Sequence, residues 1–180
     1  STLLDQNLTA RKVMTPQAFD NAIALDVAMG GSTNTVLHTL AIAQEAGIDY
    51  PLERIDAISR RVPYLCKMSP AGRWRMSDLH EAGGVPAILK ELSHKAGTLN
   101  LDTVTVSGST LGANIADAKT HNTDVIRSVD TAHSDSGGLA LVFGNLAPQG
   151  AVVKTGAVAP AMRKHRGPAR VFDDQDSAIT

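Results

Sequence analysis

Met29-Gly30-Gly31-Ser32-Thr33-Asn34-Thr35-Val36-Leu37-His38, residues 29–38, separates two helical patterns in the first half of this chain. Two adjacent glycines allow the backbone to turn tightly and to approach another group closely. Short polar side chains follow, where the free N–H groups of a new helix point outward and attract carboxylate or phosphate oxygens. The residues alone favour a helix–turn–helix corner whose polar side chains only cap, and they leave open a wall of a binding site.

Apolar residues recur at helical spacing on both sides of this turn. Before the turn, Thr15 and Pro16 form an N-cap and first-turn pair, which predicts a helix ending at Gly30-Gly31. After it, Ser32 or Thr33 is expected to cap a helix that stops at Gly47, with one apolar face comprising Val36, Leu37, Leu40 and Ala41. Further helices are predicted to open at Pro51, at Ser77 and after Gly83-Gly84.

The periodicity changes after Gly97. Short runs rich in branched residues and bounded by Gly, Pro, Ser or Asn are typical of strands. They lie at 104–106, 139–143, 151–153 and 169–172, with a short helix expected after Ser107-Gly108. The change predicts an α/β protein, α+β within this segment, with a boundary between regions 1–97 and 98–180.

Composition and chain ends limit the class of protein. The net charge is −1 with both signs scattered, which argues against nucleic acid or a membrane surface as a partner. No apolar run reaches the roughly 20 residues of a membrane span. A single cysteine and the lack of a visible signal peptide predict a cytoplasmic protein. Ser1 in place of Met and the helix-like start at 173–180 predict a piece of a longer protein.

Few residues qualify as candidates for chemistry. The six histidines form no HxxxH or HxH spacing, and the carboxylates form no local pair, so we assign no catalytic and no metal-ligating residue. Cys66 is interpreted as a packed structural thiol, Asp26 as a buried hydrogen-bond acceptor, His133 as part of a plain turn, and 163–166 as a solvated basic turn. His38 follows Asn34 by four residues and therefore shares its helical face. The substrate-region candidates are Gly31, Ser32, Thr33, Asn34 and His38.

Eight ordered motifs between about residue 15 and the end of the chain resemble the middle of the dihydroxy-acid and phosphogluconate dehydratase family. The motifs are Ala18-Phe19-Asp20-Asn21-Ala22-Ile23, residues 29–38, Ser59-Arg60-Arg61-Val62-Pro63, Asp78-Leu79-His80-Glu81-Ala82-Gly83-Gly84, Gly137-Gly138-Leu139-Ala140, Gly144-Asn145-Leu146-Ala147-Pro148, Gly150-Ala151-Val152-Val153-Lys154-Thr155 and Gly167-Pro168-Ala169-Arg170-Val171-Phe172. Residues 42–46 and 62–67 are most similar to the dihydroxy-acid branch.

The resemblance implies the helical end of an α/β amino-terminal domain followed by the start of a β-barrel-like carboxy-terminal domain. It implies a hydro-lyase that converts a small 2,3-dihydroxy acid to a 2-keto acid in valine and isoleucine biosynthesis. An iron–sulfur cluster and Mg²⁺ are implied as cofactors: the cluster acts as a Lewis acid on the departing hydroxyl, and a serine alkoxide removes the proton beside the carboxylate. A homodimer or higher homo-oligomer is expected for the full-length enzyme.

The family's cluster cysteines, magnesium ligands and serine base find no match in this chain, so the resemblance transfers no catalytic residue, and we expect the chain alone to be inactive. Residues 112–130 also form a shorter region than in some members of the dihydroxy-acid branch. Two alternatives stay open. The first is the same chemistry on a sugar acid or its phosphate. The second is a stand-alone, non-catalytic binding domain.

Overall fold

The computed structural model describes residues 2–179. The helices are α1 (Thr2–Asp5), α2 (Ala10–Val13), α3 (Pro16–Ala28), α4 (Thr33–Ala46), α5 (Leu52–Arg61), α6 (Met76–Glu81), α7 (Gly84–Leu92), α8 (Leu111–Asn114) and α9 (Gln175–Ile179). The strands β1 (Ala140–Gly144) and β2 (Ala147–Val153) pair antiparallel, and 3₁₀ turns lie at Val129–Thr131, Thr155–Ala157 and Pro160–Met162. The predicted mixed helix-and-strand class is confirmed, whereas the barrel-like continuation stays a prediction.

Helix α3 lies at the centre and packs against α4, α5 and α7. Its start is the predicted one, because Thr15 Oγ1 accepts a hydrogen bond from the Ala18 N–H at 3.2 Å. Its buried residues include Ile23 and Val27, which join Ile58 of α5 and Ile88 of α7 in one core. The core extends into the second half of the chain, where β1 packs on α5. Aliphatic burial of this kind supplies most of the folding free energy.

An ion pair between a buried carboxylate and a half-buried arginine joins α3 to α5. Asp20 Oδ1 accepts hydrogen bonds from Arg54 Nε at 2.7 Å and from Tyr50 Oη at 2.8 Å, and Asp20 Oδ2 accepts one from Arg54 Nη2 at 2.8 Å. Asp20 and Tyr50 are both buried. The carboxylate thus accepts three hydrogen bonds from protein donors in place of those from water, which is the condition for burying a charged group.

The predicted apolar face of α4 is wrong in part. Val36 is buried as expected, but the buried stripe continues through Thr39 and Ala43, while the Leu37 side chain is 68% exposed. Helix α4 is apolar around much of its circumference, so the spacing did not identify which side meets α3. The predicted stop is confirmed, since Gly47 adopts φ +73° and ends the helix.

Two predicted strands and one predicted cap are also wrong. Residues 169–172 are exposed and form no strand, because no neighbouring strand in the described part of the chain pairs with their backbone. Residues 104–106 contribute only an isolated bridge between Val104 and Thr110. Helix α6 begins at Met76, one residue before the predicted Ser77 cap, since the Asp78 carboxylate accepts the Arg75 N–H at 2.6 Å. The short helix after Gly108 is confirmed as α8.

Candidate functional site

The Gly30-Gly31 corner joins α3 to α4 and has almost no free space around it. Gly30 adopts φ +62°, a left-handed conformation that side chains with a Cβ disfavour. A Cβ on this residue would lie 2.5 Å from the Tyr64 ring atom Cε2, and one on Gly31 would collide with the Asp26 carboxylate. Ser32 Oγ then accepts the Asn34 N–H at 3.2 Å, so it caps α4 as predicted.

The Asp26 side chain packs against this corner, next to Gly31. Its Oδ1 accepts hydrogen bonds from Thr35 Oγ1 at 2.9 Å and from the Ser32 N–H at 3.3 Å, which confirms the predicted acceptor, although the residue is half-buried and not fully buried. Its Oδ2 is buried and has no hydrogen-bond partner among residues 2–179. Burial raises the pKa of the Asp26 carboxyl, although the Thr35 and Ser32 hydrogen bonds and the Lys154 charge act in the opposite direction.

The second half of the chain crosses the same corner through Gly137-Gly138. The Gly138 N–H donates to the Val27 carbonyl at 2.9 Å, and the Gly137 N–H donates to the Ser59 carbonyl at 2.7 Å. A Cβ on residue 138 would lie 2.7 Å from Gly30 Cα, so the two backbones can meet because residue 138 has no side chain. The two Gly-Gly pairs, more than 100 residues apart, form one junction.

Residues 64–66 connect this junction to the core. The Tyr64 N–H donates to the Ser134 carbonyl at 2.9 Å, and the His133 N–H donates to the Tyr64 carbonyl at 2.8 Å. The Tyr64 and His133 rings also contact each other, with centroids 5.6 Å apart. Tyr64 is 4% exposed, and its hydroxyl has no partner within residues 2–179. Extended backbone on one side and a ring contact on the other therefore hold this side chain in place.

An open cavity of about 500 Å³ lies beside the junction, between α5 and the second half of the chain. It is lined by Asp56, Ser59, Arg60, Tyr64, Lys67, His133, Ser134, Ser136, Gly137, Leu139, Ala140, Leu141, Val142, Thr155, Gly156, Val158, Pro160 and Arg163. Its volume is ordinary for a small-molecule site. We call it the junction cavity.

The electrostatics of the junction cavity are set mainly by cations. Asp56 is its one lining carboxylate, and Asp56 Oδ2 pairs with Arg60 Nε at 2.7 Å. Burial lowers the pKa of His133, and the positive charges of Arg127 and Lys67 lower it further. His133 is therefore biased toward its neutral form in a positively charged setting.

The predicted substrate-region residues divide between the corner and the surface. Gly31 lies in the corner against Asp26, whereas Ser32, Thr33, Asn34 and His38 are exposed on the first turns of α4. Asn34 and His38 share a helical face, but none of these five lines the junction cavity. Their contact with a substrate stays a prediction.

The junction cavity gathers residues that sequence reasoning treated as ordinary turns. His133 and Arg163 both line it, although the sequence favoured a plain turn and a solvated basic turn for them. No sequence signal links them to Lys67, because they lie 66 and 96 residues further along the chain. His133 is placed by its backbone hydrogen bond to the Tyr64 carbonyl, and Arg163 follows the β1–β2 hairpin, whose first strand packs on α5.

The implied iron–sulfur cluster and Mg²⁺ do not fit the residues present here. No three His, Cys, Asp or Glu side chains in the described residues come together as metal ligands. Cys66 is fully buried, and burial raises its thiol pKa to about 12, so it stays protonated and packed as predicted.

No helix in residues 2–179 has the length and apolarity needed to cross a membrane.

Two models of one protein family match this chain, one in each half. A family model described as dihydroxy-acid/6-phosphogluconate dehydratase N-terminal matches residues 1–114, and its C-terminal counterpart matches residues 124–180. The chain belongs to the dihydroxy-acid/6-phosphogluconate dehydratase family. The junction cavity is thus lined from both family regions, by 56–67 from the first and 133–163 from the second. The boundary predicted at residues 97 and 98 stays a prediction.

A dihydroxy-acid dehydratase from Caldanaerobacter subterraneus subsp. tengcongensis is 59% identical over 177 residues. The match covers 98% of this chain and 32% of that protein. The chain therefore spans about a third of the length of this curated relative. The resemblance drawn from the eight motifs is confirmed at the level of the family.

Proposed function

We propose that this chain is the central segment of a dihydroxy-acid dehydratase. The single observation that carries the proposal is the 59% identity to a curated dihydroxy-acid dehydratase along 98% of the chain. The two family regions also follow each other in the expected order. The complete enzyme would be a cytoplasmic hydro-lyase and a homo-oligomer.

The proposed reaction removes water from a 2,3-dihydroxy acid. The proton on C2 leaves, the C3–OH bond breaks, and the resulting enol takes a proton at C3 to become the 2-keto acid; the lost hydroxyl and a proton form water. An iron–sulfur cluster and Mg²⁺ would supply Lewis-acid chemistry to the complete enzyme. Because this chain does not assemble their ligands, we assign it a supporting part: it holds the junction between the two family regions and one wall of the cavity there.

The experiment compares the complete gene product with the 180-residue chain. The complete protein is expected to convert 2,3-dihydroxyisovalerate to its keto acid faster than it converts gluconate or 6-phosphogluconate. The chain alone is expected to show neither visible cluster absorbance nor turnover. Preferred turnover of a sugar acid would transfer the proposal to the other branch of the family, and a complete protein that turns over none of the three would support a binding role.

A further inference from the structure

The Asp26 carboxylate has one oxygen without a hydrogen-bond partner. Its Oδ1 accepts hydrogen bonds from Thr35 Oγ1 and the Ser32 N–H, both at the start of α4, whereas its Oδ2 is buried and accepts none from residues 2–179. A buried acceptor that has lost its water and gained no donor costs free energy. A donor that reached Asp26 Oδ2 would therefore stabilise the corner between α3 and α4.

The end of β2 lies at the same corner. Lys154 directly follows β2, which packs on α4. The next two residues contact the second Gly-Gly pair: Thr155 Oγ1 donates to the Gly137 carbonyl at 3.4 Å, and the Gly156 N–H donates to the Gly138 carbonyl at 3.4 Å. Both hydrogen bonds are long and therefore weak. An additional side-chain contact from this segment would hold it more firmly.

Lys154 carries an unpaired positive charge toward Asp26. Its side chain is half-buried and forms no ion pair with residues 2–179. The Lys154 charge lowers the pKa of the Asp26 carboxyl, against the larger effect of burial, so the two groups lie within electrostatic reach of each other. A lysine ammonium has three donors on a flexible four-carbon stem, which lets it change position while the backbone stays in place.

We propose that Lys154 is a latch between the two family regions, which closes when its ammonium forms an ion pair with Asp26 Oδ2. The closed latch gives the buried oxygen a charged donor, which is the stronger class of hydrogen bond. Asp26 belongs to the region that matches the N-terminal family model and Lys154 to the region that matches the C-terminal one, so the ion pair fastens one to the other. The inference depends on these contacts and not on the proposed function.

The latch depends on the charge of Asp26. From α4 the carboxyl meets the uncharged donors Thr35 and Ser32, and from the end of β2 it meets the Lys154 cation. Helices α5 and α7 also pack on α3, but none of their charged residues in the described chain perturbs the Asp26 pKa. Tyr64, on the other side of the corner, stays neutral because burial raises its pKa. The ion pair therefore contributes to stability above the pKa of Asp26 in the folded chain and is lost below it.

The test is a double-mutant cycle in equilibrium urea unfolding of the full chain, at a pH above the measured titration midpoint of Asp26. Lys154→Gln is expected to raise the unfolding equilibrium constant about fivefold or more in the wild type, and less than about twofold when combined with Asp26→Asn. Lys164→Gln is the matched control, because it removes the same charge from an exposed residue, and it should change the constant less than about twofold. Lys154→Arg keeps the charge and should retain most of the coupling to Asp26.

Two measurements separate an ion pair from simple packing. In a ¹³C nuclear magnetic resonance titration, the Asp26 carboxyl should titrate about half a pH unit or more higher in Lys154→Gln than in the wild type, because the ionised form loses a cation. Lys164→Gln should leave this midpoint in place. In urea unfolding below the Asp26 midpoint, Lys154→Gln should cost nothing, since a protonated carboxyl forms no ion pair.

The latch is contradicted by an equal cost of Lys154→Gln in the wild type and in Asp26→Asn, by an unchanged Asp26 midpoint, or by a cost that does not depend on pH. A loss in Lys154→Arg as large as that in Lys154→Gln would assign the residue to packing of its stem and would also overturn it. A Lys154→Gln chain that fails to fold supports the latch if adding Asp26→Asn restores folding, and contradicts it otherwise.

Discussion

Gly30→Ala is the sharpest test of how the two halves of the chain meet. The new Cβ would lie 2.5 Å from both Cε2 and Oη of Tyr64, closer than Cβ atoms approach other heavy atoms. Tyr64 is 4% exposed and contacts the His133 ring, so moving the Tyr64 ring aside would disrupt that contact. The backbone at φ +62° adds a second, separate cost.

The magnitude follows from adding these two terms. A left-handed conformation costs a residue with a Cβ about 1–2 kcal/mol, and overpacking a filled core costs about 1–3 kcal/mol. We therefore expect Gly30→Ala to lower the free energy of unfolding by about 2–5 kcal/mol. Gly47→Ala is the matched control, because Gly47 adopts φ +73° and a Cβ added there would meet nothing within 4 Å. It should lose only the about 1–2 kcal/mol of the backbone term.

The assay is equilibrium urea unfolding of the chain, followed by far-ultraviolet circular dichroism and by the fluorescence of Trp74, its single tryptophan. Tyr64→Leu combined with Gly30→Ala should recover part of the packing term, which a double-mutant cycle measures as a coupling energy. Equal losses in Gly30→Ala and Gly47→Ala, or zero coupling to Tyr64, would refute the packing argument.

Three further predictions concern buried polar groups. Tyr64→Phe removes a buried hydroxyl without a partner in the described chain and should leave the free energy of unfolding unchanged or raise it. Tyr50→Phe removes a hydrogen bond to a carboxylate and should cost about 1.5–3 kcal/mol in urea unfolding. A larger loss in Tyr64→Phe than in Tyr50→Phe would contradict both assignments. Burial raises the pKa of Asp26, so its contribution to stability is full below pH 3.8 and falls as the pH rises through the raised value. The difference in free energy of unfolding between the wild type and Asp26→Asn should therefore fall over that range. A difference that rises with pH would show a lowered pKa. Cys66, with its thiol pKa raised to about 12, should react with iodoacetamide at pH 8 at least about 100-fold more slowly in the native than in the urea-unfolded chain, and comparable rates would show an accessible thiolate.

The sequence predicted local structure well where local physics decides it. Thr15 before Pro16 begins α3, Ser32 caps α4, and Gly47 ends α4, because caps and left-handed residues act within one turn of helix. The hairpin strands were found because Leu139 to Phe143 and residues 151–153 are branched and bounded by turn residues.

The sequence patterns gave wrong predictions where the structure of a segment depends on another segment that pairs with it or packs on it. Residues 169–172 have the composition of a strand, yet a strand needs a neighbour to accept and donate its backbone hydrogen bonds, and none in the described chain pairs with them. The apolar face of α4 was assigned partly to the wrong side for a related reason. Apolar residues occupy much of its circumference, so packing against α3 selects Thr39 and Ala43 for burial over Leu37.

By itself, the sequence determined the family, the helical first half, the corner at Gly30-Gly31 and the acceptor role of Asp26. Only the tertiary structure placed Gly138 against Gly30 and brought Arg163 and Lys67 to the lining of one cavity. The physical reason is that contacts between distant residues depend on how complete elements pack, and no spacing in the chain records them. The glycines of the corner were visible as a turn, but the groups that leave no room for a Cβ there, Tyr64 at Gly30 and the Asp26 carboxylate at Gly31, came from the tertiary structure.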